Sequence, residues 1–213
     1  MDFLYRLGRV LSYIFLPTFG QIQVIGKNHI PREGGFIIAS NHQSIADPPL
    51  IVYSFNRAVF FMAKKSLFKM KIASAMLRAL HVHPVNRTGV DVEAVKWAEK
   101  ILAKGQALLV FPEGTRSPHY LNKGNEGVAY IASRAKVPVV PVGITGTETI
   151  RNVIRIPFHF KKLRVSIGEP FYLESHGSKL DRSVLKVHTE VVMDRIAKLL
   201  PDDYRGHYAG NNQ

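Results

Sequence analysis

Short apolar segments alternate with segments of helical periodicity along most of the chain, and this alternation restricts the possible folds most strongly. The apolar segments are rich in Val, Ile and Phe and are bounded by turn residues, which is typical of strands. The predicted strands are QIQVIG (21–26), FIIAS (36–40), VFFMA (59–63), ALLVF (107–111), VPVVPVGI (137–144) and LRVSIG (163–168). The predicted helices begin at Pro48 and otherwise cover 67–80, 91–103, 127–135 and 178–200.

Strands separated by helices predict an α/β fold with a mostly parallel central sheet and helices on both faces. In open sheets of this kind, binding sites form beyond the carboxyl ends of the strands. Two polar stretches directly follow predicted strands: SNHQSIADP (40–48) follows FIIA, and FPEGTRS (111–117) follows ALLV. If these strands are parallel neighbours, both stretches lie at the same edge of the sheet, where we expect the functional site.

Composition limits the functions that this chain can perform. The 213 residues suffice for one core, and we predict a single domain at 20–205. The absence of cysteine excludes disulfides, thiolate metal sites and a cysteine nucleophile. The net charge of +13 favours anionic partners: nucleic acid, acidic lipid headgroups, phosphorylated substrates or an acidic carrier protein. No basic cluster interleaves with aromatic residues as in a nucleic-acid module.

Residues 1–19 predict an amphipathic helix with Arg6 and Arg9 beside a broad apolar face. That face comprises Phe3, Leu4, Leu7, Val10, Leu11, Ile14 and Phe15. The apolar stretch is too short for a membrane span, which needs about 20 residues. No small-residue cleavage site follows it, which disfavours a signal peptide. Two interpretations remain open: a helix in the membrane interface, or a helix packed on the domain's own core.

The two polar stretches each allow a structural and a chemical interpretation. Asp47 followed by Pro48 is a good helix start, so 40–48 also suits an ordinary strand-to-helix connection. In FPEGTRS, Gly114 allows the backbone to approach a ligand, and the guanidinium of Arg116 suits phosphate or carboxylate. The alternative for this turn is an internal ion pair between Glu113 and Arg116.

Taken together, the two stretches resemble the glycerolipid acyltransferases, and more narrowly the 1-acylglycerol-3-phosphate (lysophosphatidate) acyltransferases. The resemblance depends on the His-x4-Asp pattern within 41–47 and on FPEGTRS at 111–117. VPVVPVGI (137–144), VHPVNR (82–87) and AKKSLF (63–68) resemble further motifs of that family. The similarity extends over about residues 20 to 172.

The resemblance implies transfer of a fatty acyl group from acyl-CoA or acyl-carrier protein to the sn-2 hydroxyl of lysophosphatidate, giving phosphatidate. This reaction needs no cofactor and no metal. His42 is the expected general base and Asp47 is expected to orient its imidazole. The remaining expectations concern substrate contacts: Arg116, Arg87 and Lys64 for the acceptor phosphate, Glu113 for the acceptor's glycerol or for Arg116, and the amides near Gly114, Thr115 or His42 for the oxyanion.

Several alternatives stay open from the sequence. The same chemistry suits another acceptor, such as glycerol 3-phosphate, another lysophospholipid or a glycolipid. Ser44 is an alternative nucleophile, His81-x-His83 suggests metal ligands, and Asn41 either orients the loop or serves ordinary turn chemistry. A non-enzymatic basic module leaves both motifs unexplained, and a serine hydrolase lacks its G-x-S-x-G elbow. We predict a peripheral or monotopic protein on the cytoplasmic face of the cell membrane, with no nucleic-acid partner.

Overall fold

A seven-stranded sheet forms the centre of the protein, with the strand order β1-β7-β6-β2-β5-β3-β4. The computed structural model describes residues 3–18, 20–86, 91–158, 160–174 and 181–210. The strands are β1 (Gln21–Ile25), β2 (Phe36–Ser40), β3 (Val59–Lys64), β4 (Val82–Val85), β5 (Ala107–Val110), β6 (Val139–Thr145) and β7 (Lys162–Ile167).

Five neighbouring strands run in one direction. β6, β2, β5, β3 and β4 pair in parallel, whereas β7 pairs antiparallel with β6 and carries β1 parallel to itself. The predicted mostly parallel α/β sheet is therefore confirmed. β2 lies directly between β5 and β6, so the segments that follow these three strands meet at one edge of the sheet.

The described ranges contain six α-helices, which lie on the two faces of the sheet. They are α1 (Phe3–Phe15), α2 (Asp47–Ser54), α3 (Lys71–Ala79), α4 (Val92–Ala103), α5 (Gly127–Ala135) and α6 (Arg182–Ala197). The core on one face contains Leu50 and Ile51 of α2, and the core on the other contains residues of α4, α5 and α6. Right-handed crossovers explain this division: β2, α2, β3 and then β4 progress across the sheet in one direction, while α4 and α5 connect strands in the opposite direction.

The predicted elements are largely confirmed, with three differences. The predicted helix at 67–80 is divided into a 3₁₀ helix (Lys65–Phe68) and α3, because Met70 has extended backbone dihedrals. The last helix begins later than predicted, after Asp181 caps it by accepting from the Val184 amide at 2.9 Å. Its predicted first residues lie outside the described residues. β4 is a strand that the hydrophobic pattern did not predict by itself, because it is short and contains Pro84.

The first helix packs on the domain with one side and exposes the other. On one side the Tyr5 hydroxyl accepts a hydrogen bond from the Val59 amide at 2.8 Å, and the following Leu16 is fully buried in the core. On the other side, all seven residues of the predicted apolar face are exposed. The helix is therefore packed on the domain's core, and its position in a membrane interface stays a prediction. Among the described helices, none is long and apolar enough to cross a membrane.

The carboxyl-terminal boundary also differs from the expected position at 205. Tyr208 is buried in the core between the sheet and α6, and the His207 amide donates to the carbonyl of Leu121 at 3.2 Å. The domain therefore extends at least to Tyr208, because an aromatic side chain covers the end of the core there.

Candidate active site

The imidazole of His42 and the carboxylate of Asp47 are in direct contact. His42 lies just beyond the end of β2, Asp47 is the first residue of α2, and the His42 Nδ1 to Asp47 Oδ2 distance is 2.8 Å. Asp47 is completely buried, whereas 15 % of the His42 side chain is exposed. Because Nδ1 donates to the carboxylate, Nε2 of this tautomer carries the lone pair that can accept a proton.

The Asp47 carboxylate also organises the turn that separates the pair. Its Oδ2 accepts hydrogen bonds from the backbone amides of Gln43 and Ser44, each at 2.7 Å. Its Oδ1 accepts one from the hydroxyl of Thr147 at 2.6 Å. The carboxylate thus closes the loop between β2 and α2 around itself, which explains how a five-residue separation brings the two side chains together.

Thr147 is a site residue that the sequence analysis missed. It follows the end of β6 and the positive-φ residue Gly146, and it is fully buried. Only its position was visible in the sequence: a hydroxyl residue three positions after the end of a predicted strand. Its contact with Asp47 depends on β6 lying next to β2, which the sequence pattern does not specify.

The FPEGTRS turn holds the backbone of His42 from two sides. One carboxylate oxygen of Glu113 accepts from the His42 amide at 2.8 Å, and the other accepts from the Asn122 amide at 2.9 Å. The Ser117 amide donates to the carbonyl of His42 at 2.7 Å. Both oxygens of Glu113 are therefore engaged inside the protein, in contrast to the expected contact with the acceptor or with Arg116.

Glu113 is a buried carboxyl group with an altered acidity. Its pKa is raised to about 7: burial raises it most, the amide hydrogen bonds from Asn122 and His42 lower it, and the nearby Asp47 charge raises it. Burial has the largest effect because it disfavours the charged form. Glu113 therefore changes its protonation near neutral pH while it holds the backbone of His42.

The other residues of the turn have different environments. Gly114 has φ of 68°, and its amide closes the turn by donating to the carbonyl of Phe111 at 3.0 Å. A Cβ at this position would lie 2.8 Å from Nδ2 of Asn125, so the turn has no room for a larger residue. Thr115 and Arg116 are exposed, and Arg116 forms no hydrogen bond or ion pair with another described residue.

Aromatic stacking fixes the plane of the His42 ring. The ring of Phe111, the first residue of FPEGTRS, stacks on the imidazole with centroids 3.9 Å apart and an angle of 14° between the planes. Asp47 thus fixes one edge of the ring and Phe111 covers one face. Because these contacts already hold the ring in place, a general base at this position loses little conformational freedom in the transition state.

Two polar residues of the loop have structural partners. The Asn41 side chain donates to the carbonyl of Ile144 at 2.9 Å and accepts from its amide at 2.7 Å, which ties β2 to β6 and supports the orienting role. Ser44 is buried, and its hydroxyl donates to the carbonyl of Ile150 at 2.5 Å. This geometry disfavours Ser44 as a nucleophile, because its hydroxyl proton is not directed at a base.

The remaining predicted site residues are less close to the pair. Lys64 ends β3 and is exposed at the same sheet edge, but β5 separates β3 from β2, which corresponds to about 10 Å. Arg87 lies outside the described residues.

His81 stacks between Tyr5 and Phe60 with ring centroids 4.1 and 4.2 Å away. Within the described ranges no group of three potential metal ligands occurs, so the His81-x-His83 interpretation has no further ligand.

Comparison with known proteins places this site in a family. Residues 21–145 match the acyltransferase family. The 1-acyl-sn-glycerol-3-phosphate acyltransferase of Bacillus subtilis is 29 % identical over 187 residues, which cover 87 % of this chain and 92 % of the relative. The protein of the same description from Streptococcus pneumoniae is 31 % identical over 199 residues, covering 92 % of this chain and 70 % of the relative.

A solved structure extends the similarity to the fold. The crystal structure of the 1-acyl-sn-glycerophosphate (LPA) acyltransferase PlsC from Thermotoga maritima matches with a TM-score of 0.67 and 29 % identity, over 89 % of this chain and 74 % of that one. The chain therefore belongs to the acyltransferase family, in the group of the 1-acyl-sn-glycerol-3-phosphate acyltransferases. It is an O-acyltransferase, and the family resemblance of its sequence is confirmed.

Proposed function

We propose that this protein transfers a fatty acyl group from acyl-CoA or acyl-carrier protein to the sn-2 hydroxyl of 1-acylglycerol 3-phosphate, giving phosphatidate for phospholipid synthesis. The observation that carries this proposal is the 2.8 Å contact of His42 with the buried Asp47, at the edge where FPEGTRS holds the His42 backbone. The descriptions of the related proteins support the same acceptor.

In this reaction His42 acts as a general base and then as a general acid. Nε2 takes the proton of the sn-2 hydroxyl while the hydroxyl oxygen attacks the carbonyl carbon of the thioester. The tetrahedral oxyanion collapses, the C–S bond breaks, and the proton on Nε2 passes to the leaving thiolate. The products are an ester and a free thiol. Asp47 stabilises the imidazolium that exists between these two proton transfers.

The oxyanion and the acceptor phosphate require hydrogen-bond donors near His42. The amides of His42, Gln43 and Ser44 already donate to carboxylates, and that of Gly114 donates to Phe111. No hydrogen bond engages the Thr115 amide within the described part of the chain, so it is our choice for the oxyanion. The exposed guanidinium of Arg116 then binds the phosphate, with Lys64 and Arg87 as further cationic contacts.

The proposal includes a peripheral or monotopic location on the cytoplasmic face of the cell membrane. The exposed apolar side of α1 supports it, because such a helix inserts its apolar side chains among lipid headgroups. The net charge of +13 adds attraction to an anionic leaflet, to the phosphorylated acceptor and to an acidic donor.

The test is product formation with defined substrates. Purified protein is incubated with labelled acyl-CoA or acyl-carrier protein and, in parallel, with lysophosphatidate, glycerol 3-phosphate and lysophosphatidylcholine. We expect labelled phosphatidate as the main product, with acylation at the sn-2 position. Preferential acylation of either of the other acceptors would contradict the proposed substrate while leaving the acyltransferase chemistry intact.

A further inference from the structure

The segment from Lys65 to Leu80, which we call the α3 surface, is unusually exposed for a connection between two strands. It contains the 3₁₀ helix Lys65–Phe68 and α3, and neither of them has a buried residue. Four large apolar side chains of the segment are largely exposed to solvent: Leu67, Met70, Ile72 and Met76, with Ile72 at 82 %. Ile72 and Met76 are four residues apart and so share one side of α3.

The charges in the α3 surface all have one sign. The segment 65–80 contains Lys65, Lys69, Lys71 and Arg78 and has no aspartate or glutamate. Long basic side chains beside an exposed aliphatic stripe can extend toward anionic headgroups while their methylene stems remain on apolar surroundings. A cationic and aliphatic surface of this kind complements the interface of an anionic bilayer.

The carboxyl-terminal end of the α3 surface packs against α1. A Cβ on Gly8 of α1 would lie 3.0 Å from Cδ2 of Leu80, and Tyr5 of α1 stacks on His81 at 4.1 Å. The two helices therefore meet where α3 ends, on the same face of the sheet as α2. Two adjacent helices form a wider apolar area than either one, and areas of this size on soluble proteins mark interaction surfaces.

We propose that the α3 surface is a second membrane contact, which binds an anionic lipid bilayer together with α1. A second copy of the chain fits the surface less well, because a two-fold interface would oppose two segments that carry only positive charge. Nucleic acid fits less well because none of the large apolar side chains exposed on this surface is aromatic, and base stacking needs an aromatic ring.

The role of this contact rests on the proposed function, because the contact orients the active site toward the membrane. The α3 surface begins immediately after β3, whose last residue Lys64 lies at the sheet edge that carries His42. Contact through α1 alone leaves the protein free to rotate about the axis of that helix. Contact through two helices prevents this rotation. The orientation of the active-site edge toward the lipid is then determined, so that a lipid acceptor reaches it from the bilayer.

The first test removes the apolar part of the surface. Vesicle co-sedimentation of the full chain without substrates compares wild type with the double variant Ile72→Ser/Met76→Ser, using vesicles of phosphatidylcholine with phosphatidylglycerol. We expect the variant to bind the vesicles at least about tenfold more weakly than wild type, because two inserted apolar side chains are lost. The matched control is Val187→Ser/Val191→Ser, an exposed pair with the same spacing on α6 at the opposite face, for which we expect unchanged binding.

The second test removes charge. Lys69→Gln/Lys71→Gln should weaken binding to the anionic vesicles about thirtyfold at low salt and leave binding to pure phosphatidylcholine vesicles unchanged. Lys96→Gln/Lys100→Gln, an exposed pair on α4 at the opposite face, changes the net charge equally and should have little effect. Equal losses for both pairs would show that only the net charge matters and would overturn the proposal, as would wild-type binding by the Ile72→Ser/Met76→Ser variant.

A third measurement separates this inference from the proposed function. Acylation of a short-chain lysophosphatidate dissolved as monomers, without vesicles, should proceed at the wild-type rate in the Ile72→Ser/Met76→Ser variant. With acceptor presented in vesicles, the rate of the variant should fall in parallel with its binding. Absence of acylation in wild type as well as in the variant contradicts the proposed function alone, because vesicle binding is measured without substrates.

Discussion

The hydroxyl of Thr147 donates a 2.6 Å hydrogen bond to Oδ1 of Asp47, across one hundred residues of sequence. Each carboxylate oxygen of Asp47 therefore has a donor: Thr147 on Oδ1 and His42 on Oδ2. Thr147 and Asp47 are both fully buried, so neither oxygen relies on solvent. Thr147 is thus a positioning residue in our account: it acts on the reaction through Asp47 and does not touch the substrate.

We predict that Thr147→Val lowers kcat about ten- to a hundredfold, because the carboxylate that orients His42 loses one of its fixed contacts. The KM for lysophosphatidate should change little, since Thr147 is fully buried and does not touch the substrate. The free energy of unfolding should fall by about 1–3 kcal/mol, because Oδ1 is left buried without its donor. Steady-state kinetics and urea denaturation measure both effects.

Thr147→Ser is the control for this prediction, because it keeps the hydroxyl and loses only a methyl group. It should restore most of kcat. If the serine variant is as slow as the valine variant, packing of the methyl group rather than the hydrogen bond to Asp47 governs the rate.

We predict that Glu113 makes stability depend on pH between about 4.5 and 7. Its pKa is about 7 in the folded protein and 4.5 in the absence of burial, so the folded state binds more protons in this interval. The contribution of Glu113 is therefore fully present below the unfolded pKa and is lost as pH rises through the folded pKa, with a slope of at most about 1.4 kcal/mol per pH unit.

The variant Glu113→Gln isolates this effect because it does not titrate. The difference in unfolding free energy between wild type and Glu113→Gln, measured by urea denaturation from pH 5 to 8, should decrease as the pH rises. A difference that is constant or that increases with pH would mean that the amide hydrogen bonds from His42 and Asn122 outweigh burial, and that Glu113 stays ionised.

We predict that Arg116→Ala raises the KM for lysophosphatidate and leaves the KM for the acyl donor near its wild-type value. The reason is that an exposed guanidinium in the turn that holds the His42 backbone contributes to phosphate binding before and during the reaction alike. Arg116→Lys should recover only part of the affinity, since an ammonium cannot make the two parallel hydrogen bonds of a guanidinium. Initial rates at varied concentrations of each substrate measure these constants.

The matched control for Arg116 is Arg32→Ala. Arg32 is also exposed but precedes β2, at the opposite edge of the sheet from His42. Its loss changes the net charge equally and should leave both KM values unaltered. A similar rise in KM for both variants would attribute the effect to the overall positive field and not to a phosphate contact at Arg116.

The location of the site was predictable because it follows from topology. The apolar runs before 40–48 and 111–117 specify buried parallel strands, and the carboxyl ends of such strands are where sites form. The contact between His42 and Asp47 was also predictable, once a turn was assumed to fold the imidazole back. This contact is predictable because His42 and Asp47 are close in sequence and one short turn brings them together.

The roles within FPEGTRS were less predictable, because they depend on long-range partners. Glu113 and Arg116 both looked like substrate ligands, yet the carboxylate of Glu113 is buried on the backbone amides of His42 and Asn122. Residue types do not show which backbone amides require a side-chain acceptor, so this role of Glu113 could not be predicted from the sequence. The Thr147 contact with Asp47 was missed for a related reason: it requires knowing that β6 is the neighbour of β2.

In the proposed reaction, His42 removes the proton from the acceptor hydroxyl. The most direct measurement is the rate of phosphatidate formation by His42→Ala at saturating lysophosphatidate and acyl donor, with thermal unfolding to verify that the variant is folded. Loss of the general base predicts a kcat about a hundredfold to ten-thousandfold below that of wild type. A folded His42→Ala variant that forms phosphatidate at a rate close to that of wild type would contradict the claim.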